Sequence, residues 1–412
     1  MIKILQVRNI DSFVESRRQK TSEKDRKTVQ SILNDVRKNG DSAVKKYERK
    51  FNGRKTSQLR VSAKEIKEAQ SKFSREEVTA LQTMSARLSN SSPKIQVRGS
   101  RKFVPIPSVG CYIPGGQARY PSSVVMSVIP AKIAGVKRII VISPPGRDGK
   151  IDPLTIVAAK KCGATEIYKV GGAQAICALA YGTKSIPKVD KIVGPGGKFV
   201  SIAKSLVSEQ TAIDMVAGPT ELGIIADASS DPELVALDLI SQAEHSKDTM
   251  CFVITQSKTM AKQIQKSIEK LISGTERSSI IKESISKNGF VAVCKSQNEM
   301  IELANKIAPE HLELMAKNSK SLSKKITGPG LLLVGKNTPS AASDYLLGTN
   351  HILPTNGFGR TRGGLSVLDF LKLQTVVESK KSALRNISKS LKAITDAEDL
   401  PNHYKAVKRR LD

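Results

Sequence analysis

The sequence predicts an α/β protein made of two Rossmann-like, doubly wound domains with helical extensions at both ends. Three observations predict it. From about residue 104, short β-branched runs alternate with helical stretches. Glycine-rich turns follow several of those runs. The first hundred and the last fifty residues carry helical periodicity alone.

At the start, Val29, Ile32, Leu33 and Val36 repeat at i, i+3, i+4, i+7, which predicts an amphipathic helix. Gly40 suits its C-cap. Asp41 suits the N-cap of a second helix carrying Ala43, Val44 and Tyr47. The expected strands are Arg138–Ile142, Glu166–Val170, Lys191–Val193, Leu222–Ala226, Cys251–Ile254, Phe290–Val293 and Leu331–Val334. Turns at Gly171-Gly172, Gly194-Pro195-Gly196-Gly197 and Gly335 feed the following helices, as in parallel sheets that bind ligands at strand carboxyl ends. At the far end Leu384, Ile387, Leu391 and Ile394 mark an amphipathic tail suited to packing on a partner subunit.

Composition narrows the function. The 412 residues and 39% hydrophobic content suit two or three folded domains. No run of eighteen apolar residues predicts a membrane helix, and the opening residues lack a signal-peptide pattern. Five scattered cysteines without a CxxC pair point to free thiols in a reducing cytoplasm. The formal net charge of +29 raises nucleic-acid binding. Against it, tryptophan is absent and aromatics make up 4%, so base stacking is poorly supplied. No GxGxxG follows a strand. The stretch Gly330 to Lys336 resembles a phosphate loop but has Asn337 where a hydroxyl should hold magnesium, and its middle is a strand.

The four histidines carry the chemistry. Asp231 reads as an N-cap and Pro232 as the first residue of a helix that reaches Gln242 and His245. Those two are i, i+3 and share a face, an amide oxygen beside an imidazole. Alone, the pair also reads as surface residues near a helix end. Glu310 and His311 follow Pro309; off a regular element both can reach one cleft as acid–base groups. Alone, they also read as an exposed pair at a helix start. Asp344 precedes the turn Gly348-Thr349-Asn350 that leads to His351, and Glu398 stands five residues before His403. Every histidine has an acidic or amide neighbour. Gln242, His245, Asp344 and His403 make a mixed four-ligand set that suits zinc, leaving Glu310 and His311 for catalysis.

Eight ordered segments extend this reading: VPIPSVGCYIPGGQARYPSSVVMSVIPAKIAGV from Val104, VGGAQAICALAYGT from Val170, KIVGPGGKFV from Lys191, DMVAGPTELGIIAD from Asp214, DLISQAEH from Asp238, APEHLEL from Ala308, SDYLLGTNHILPT from Ser343 and GGLSVLDF from Gly363. With AEDLPNH from Ala397, the chain resembles the histidinol dehydrogenase family from about residue 28 to its end. The resemblance implies an enzyme that oxidises L-histidinol to L-histidine in two NAD-linked steps with one zinc ion per subunit. It implies zinc ligation by Gln242, His245, Asp344 and His403, and acid–base work by Glu310 and His311. It further implies substrate contacts at Thr220, His351 and Glu398 besides the ligands and His311, and NAD contacts at Tyr112, Gln174 and Gly197. Residues 1–111 with 222–364 would form the first α/β domain and carry the N-terminal helices. Residues 112–221 would form the second, with the NAD contacts, and 365–412 a dimerisation tail. The resemblance also implies a homodimer in which Glu398 and His403 complete the partner's site.

Two departures stand out. The family usually has Asn where this chain has Gly197, which removes a side-chain contact to the nucleotide and implies either lower NAD affinity or a contact supplied elsewhere, with Lys198 a candidate. It usually has Ser where this chain has Thr220, which keeps the hydroxyl. The rival readings are a dehydrogenase of another amino alcohol or diol, a basic nucleic-acid-binding protein, and a zinc hydrolase, the last lacking HExxH.

Overall fold

Parallel pairing dominates the computed structural model, which describes all residues except 19–21, 54–57, 93–100, 116–118 and 147. Two compact units are present: residues 1–93 with 105–370, and residues 94–104 with 371–412.

The first unit holds two parallel sheets. Strands β1 (Lys3–Gln6), β2 (Arg101–Pro105), β3 (Ser108–Tyr112), β4 (Arg138–Ser143), β5 (Glu166–Lys169), β6 (Lys191–Val193), β7 (Ala212–Ile213), β8 (Glu221–Ile225), β9 (Met250–Thr255), β10 (Phe290–Val293), β11 (His311–Leu314), β12 (Leu331–Val334) and β13 (Leu371–Thr375) follow in chain order. One sheet runs β5-β4-β3-β6-β7 and the other β1-β10-β9-β8-β11-β12. Apart from the added β1 edge, both share one order: the first strand is central and the chain winds outward on both sides. Each sheet therefore has a switch point, between β3 and β6 and between β8 and β11. The α/β, doubly wound class expected from sequence is the one observed.

Each expected strand coincides with β4, β5, β6, β8, β9, β10 or β12 within a residue or two. The N-terminal helix Glu23–Asn39 buries Val29, Ile32, Leu33 and Val36, the stripe read from periodicity. Gly40, at φ +52°, ends that helix and caps the next, Asp41–Asn52. Asp41 is therefore the first helical residue rather than the cap, and its carboxylate accepts hydrogen bonds from Ser185 instead. Both helices pack into the core of the five-stranded sheet, with Ile140, Ile142 and Tyr168, not on the sheet built from residues 222–334. Ser108–Cys111 likewise belong to β3 of the five-stranded sheet. The reason is the apolar stripe: it packs against helix Gly172–Tyr181, itself apolar on nearly all sides and part of the same core. The six-stranded sheet carries separate cores on its two faces, one around Leu222 and Val253, the other around Phe252 and Phe290.

The second unit contains the β2–β13 pair and two helices, Lys381–Ala397 and Pro401–Lys408. The longer helix is amphipathic, as its spacing predicts, yet only Thr395 on it is buried; Ile387 and Ile394 are exposed. Among the described residues no helix is long and apolar enough to cross a membrane.

Candidate functional site

A cleft of about 790 Å³ opens in the first unit. Its floor comes from the amino ends of β8 and β11, through Thr220, Glu310 and His311. Its other side is the Pro195–Lys198 turn at the carboxyl end of β6. The six-stranded sheet thus offers the edge opposite to the one expected from doubly wound sheets. The side chains show why: Glu221 and His311 put polar groups at the strand starts, whereas the strand ends at Ile225 and Leu314 are apolar and buried.

Glu310 and His311 are both buried, and both line the cleft. The chain reaches them through Ala308, at φ +50°, which ends helix Gln297–Ile307, and Pro309. Glu310 precedes β11 and His311 opens it, which lets two adjacent side chains meet one space. The His311 Nε2 lies 3.1 Å from Asp344 Oδ1, and its Nδ1 lies 3.9 Å from Glu310 Oε2. With hydrogen on Nε2, the ring donates to Asp344 and keeps a lone pair on Nδ1, which is buried and has no hydrogen-bond partner. Burial pulls the imidazole down, but the charge of Asp344 and its hydrogen bond, with Glu310 and Glu313, outweigh it and push His311 up to about 9. Burial raises Glu310 against the opposing charge of His311 and the hydrogen bonds from Thr220 and Glu221. Asp344 is also buried, yet His311 holds its carboxyl below the usual range.

Thr220 links the two sides of this group. Its Oγ1 donates to Glu310 Oε2 and accepts from Gln242 Nε2 at 3.0 Å. Glu221 and Glu310 bracket each other: the Glu221 N–H donates to Glu310 Oε2 at 3.0 Å, and the Glu310 N–H to Glu221 Oε2 at 3.3 Å. Helix Pro232–Ala243 supplies Gln242; Asp231 caps it and Pro232 opens it, as its sequence predicts. The helix ends at Ala243, so His245 lies beyond it rather than on its face. A turn with the His245 N–H on Gln242 O still holds the two close, and both line the cleft. Asp344 caps the short helix Ser340–Ser343. Its backbone oxygen bonds His351 Nδ1 at 2.9 Å, and Ser123 Oγ meets His351 Nε2 at 3.2 Å. Burial lowers His245 and His351, favouring the neutral rings that ligate metals.

The expected residues are not all brought together. Thr220, Gln242, His245, Glu310, His311, Asp344, His351 and Gly197 share the cleft. Tyr112 and Gln174 are buried elsewhere: Tyr112 Oη accepts from the Gly172 N–H, and Gln174 Nε2 donates to Glu48. Glu398 and His403 belong to the second unit, where both are exposed. Among the described residues no three His, Cys, Asp or Glu side chains gather to hold a metal. The first unit offers an amide, an imidazole and a carboxylate, which fits zinc once a fourth donor is added.

Sequence reasoning missed three groups. Ser123, Glu221 and the pair Asp238–Glu313 were not singled out. Glu313 accepts from the Ser340 N–H at 2.6 Å, and burial first, then the charge of Asp238, push its carboxyl up. That pair ties the Gln242 helix, β11 and the Asp344 helix together. The signal was available: Glu313 lies two residues after His311, the spacing that places both on one face of a strand.

All five cysteines are buried. Cys111 is fully buried, and burial pushes its thiol up, so no thiolate faces the cleft.

A family profile described as histidinol dehydrogenase matches residues 15–411. The chain is 44% identical over 398 residues to the histidinol dehydrogenase of Methanococcus maripaludis, covering 93% of each protein. It is 39% identical over 400 residues to that of Bacillus licheniformis, covering 94% of each. The crystal structure of histidinol dehydrogenase from Elizabethkingia anophelis superposes with a TM-score of 0.92 at 34% identity, over 100% of this chain and 98% of that one. A match over nearly the whole chain, in sequence and in fold, places this chain in the histidinol dehydrogenase family.

Proposed function

We propose that this chain oxidises L-histidinol through histidinal to L-histidine, a four-electron reaction using two NAD. The observation that carries the reading is His311: a buried imidazole, oriented by Asp344 through Nε2, with Nδ1 open beside Glu310. In the first step His311 Nδ1 takes the alcohol proton as the carbon loses a hydride to NAD. In the second, Glu310 takes a proton from the water that adds to the aldehyde, and the hydrated carbon loses a second hydride. Thr220 holds Glu310 in place through its hydroxyl. Zinc held by Gln242, His245, Asp344 and His403 would anchor and orient the substrate. Shared with such an ion, the Asp344 carboxylate would pull less on His311, which would suit the imidazole to the base role. His351, fixed between Ser123 and Asp344, and Glu398 complete the substrate contacts.

His403 and Glu398 reach a site by dimerisation in this reading. The exposed Ile387 and Ile394 on the tail helix supply an apolar face for a second copy. Free, buried thiols support a reducing, cytoplasmic setting for the enzyme.

A coupled assay tests the proposal. Purified chain with zinc, histidinol and NAD should yield two NADH per histidine, and a chelator should stop it. Turnover of another amino alcohol or a diol, but not histidinol, would favour the related-dehydrogenase reading.

A further inference from the structure

One buried ion pair lies outside the reacting group. Lys204, on helix Lys198–Val207, and Asp214, after β7, are both almost wholly shielded from water. Lys204 Nζ pairs with Asp214 Oδ1 and donates to the Gly194 carbonyl at 2.9 Å. Asp214 Oδ2 accepts the Gly194 N–H at 2.8 Å, and its Oδ1 accepts the Met215 N–H at 2.6 Å. Both polar groups of one glycine are therefore gripped by opposite charges.

The glycine so held is a demanding one. Gly194 sits at φ +112°, and a Cβ there would lie 2.1 Å from the Tyr112 carbonyl oxygen. It joins the carboxyl end of β6 to that of β3, the switch point of the five-stranded sheet. The residues that follow, Pro195 to Lys198, line the cleft. Burying two charges is expensive, and an apolar pair of similar volume packs a core as well. Such a pair is explained when a backbone shape depends on it.

We propose that Lys204 and Asp214 are positioning residues that lock the Gly194–Gly197 turn into the shape that receives the dinucleotide. The inference rests on the NAD reading above and deepens it. Neither side chain touches the cofactor; they act through the Gly194 peptide. The alcohol-side residues on β8 and β11 make no contact with the pair, so loss of the pair acts on one substrate only.

The test uses the full-length, zinc-loaded protein. NADH binding is titrated by its own fluorescence, which suits a chain without tryptophan. Lys204→Met should weaken NADH binding at least tenfold and raise KM for NAD in step, with KM for histidinol and zinc content changed less than twofold. Because a lone buried carboxylate can unfold the chain, Lys204→Met/Asp214→Leu is measured beside it. That double variant restores packing without restoring the grip, so it should fold and still bind NADH weakly. Variants that bind NADH like the wild type, or lose histidinol and NADH affinity equally, overturn the inference. A wild type that binds no NADH overturns both the inference and the NAD reading.

Discussion

His311 Nε2 stands 3.1 Å from Asp344 Oδ1, and this one contact decides which nitrogen of the imidazole faces the cleft. Asparagine at 311 can keep a hydrogen bond to Asp344 but cannot take a proton. His311→Asn should therefore lower the first oxidation by about 10² to 10⁴ in kcat, the usual share of general acid–base catalysis. Zinc content should stay at the wild-type value. Normal histidinol turnover by His311→Asn would remove His311 from the mechanism.

Thr220 needs its hydroxyl and not its methyl group. Thr220→Ser keeps both hydrogen bonds, to Glu310 and from Gln242, and should leave kcat within about twofold. Thr220→Val leaves the Glu310 carboxylate and the Gln242 amide short of a partner in a buried site, worth about 1–3 kcal/mol. That predicts a loss of about tenfold or more in kcat/KM. Equal activity of the serine and valine variants would contradict it.

Gly197 is free of steric reasons to be glycine. Its φ is −64°, and a Cβ there meets nothing within 4 Å. It caps helix Lys198–Val207 without a side-chain hydrogen bond. Gly197→Asn should add a cap worth a few tenths of a kcal/mol, raising Tm slightly. If the turn receives NAD as proposed, the added amide on the cleft wall should also lower KM for NAD. A higher KM for NAD would mean that the open space itself serves the nucleotide.

Glu221 predicts a pH dependence of stability. Burial first, with the nearby Glu310 adding, raises its carboxyl to about 8, above the ordinary carboxylate value it has when unfolded. Between those values the folded state holds a proton that the unfolded state has lost, so stability falls as pH rises toward 8. The stabilisation is complete below the unfolded value. Glu221→Gln cannot titrate and should show a flatter decline of Tm from pH 5 to 8. Parallel curves for the two proteins would place the charge change elsewhere.

Much of the fold was legible because ordinary packing wrote it. Runs such as Cys251–Ile254 and Phe290–Val293 are buried on both faces and therefore uniformly apolar, which is how parallel strands read. β11 was not legible as a strand. His311 and Glu313 interrupt its apolar pattern, because the strand buries polar groups that serve the cleft. The same conflict hid which end of the six-stranded sheet holds chemistry. Individual site residues were readable from short-range pairing, as with Gln242 and His245. Contacts between distant segments, such as Lys204 with Gly194 and Asp214, follow from strand order and have no local signature. Glu48 left a trace: it falls on the buried stripe of its helix, one position after Tyr47, and it turned out to hold Gln174 and the Gly171 N–H.

The cleft joins the starting edge of one sheet to the finishing edge of the other, and this gives the enzyme a modular grammar. In the proposed reading, the residues that would recognise the alcohol follow from one stretch of sequence, and the turn that would face the electron acceptor from another. A lineage can drift in its preference for one reactant while the machinery for the other stays put. Gly197, on the turn and apart from Glu310 and His311, would be a position for a change of that kind.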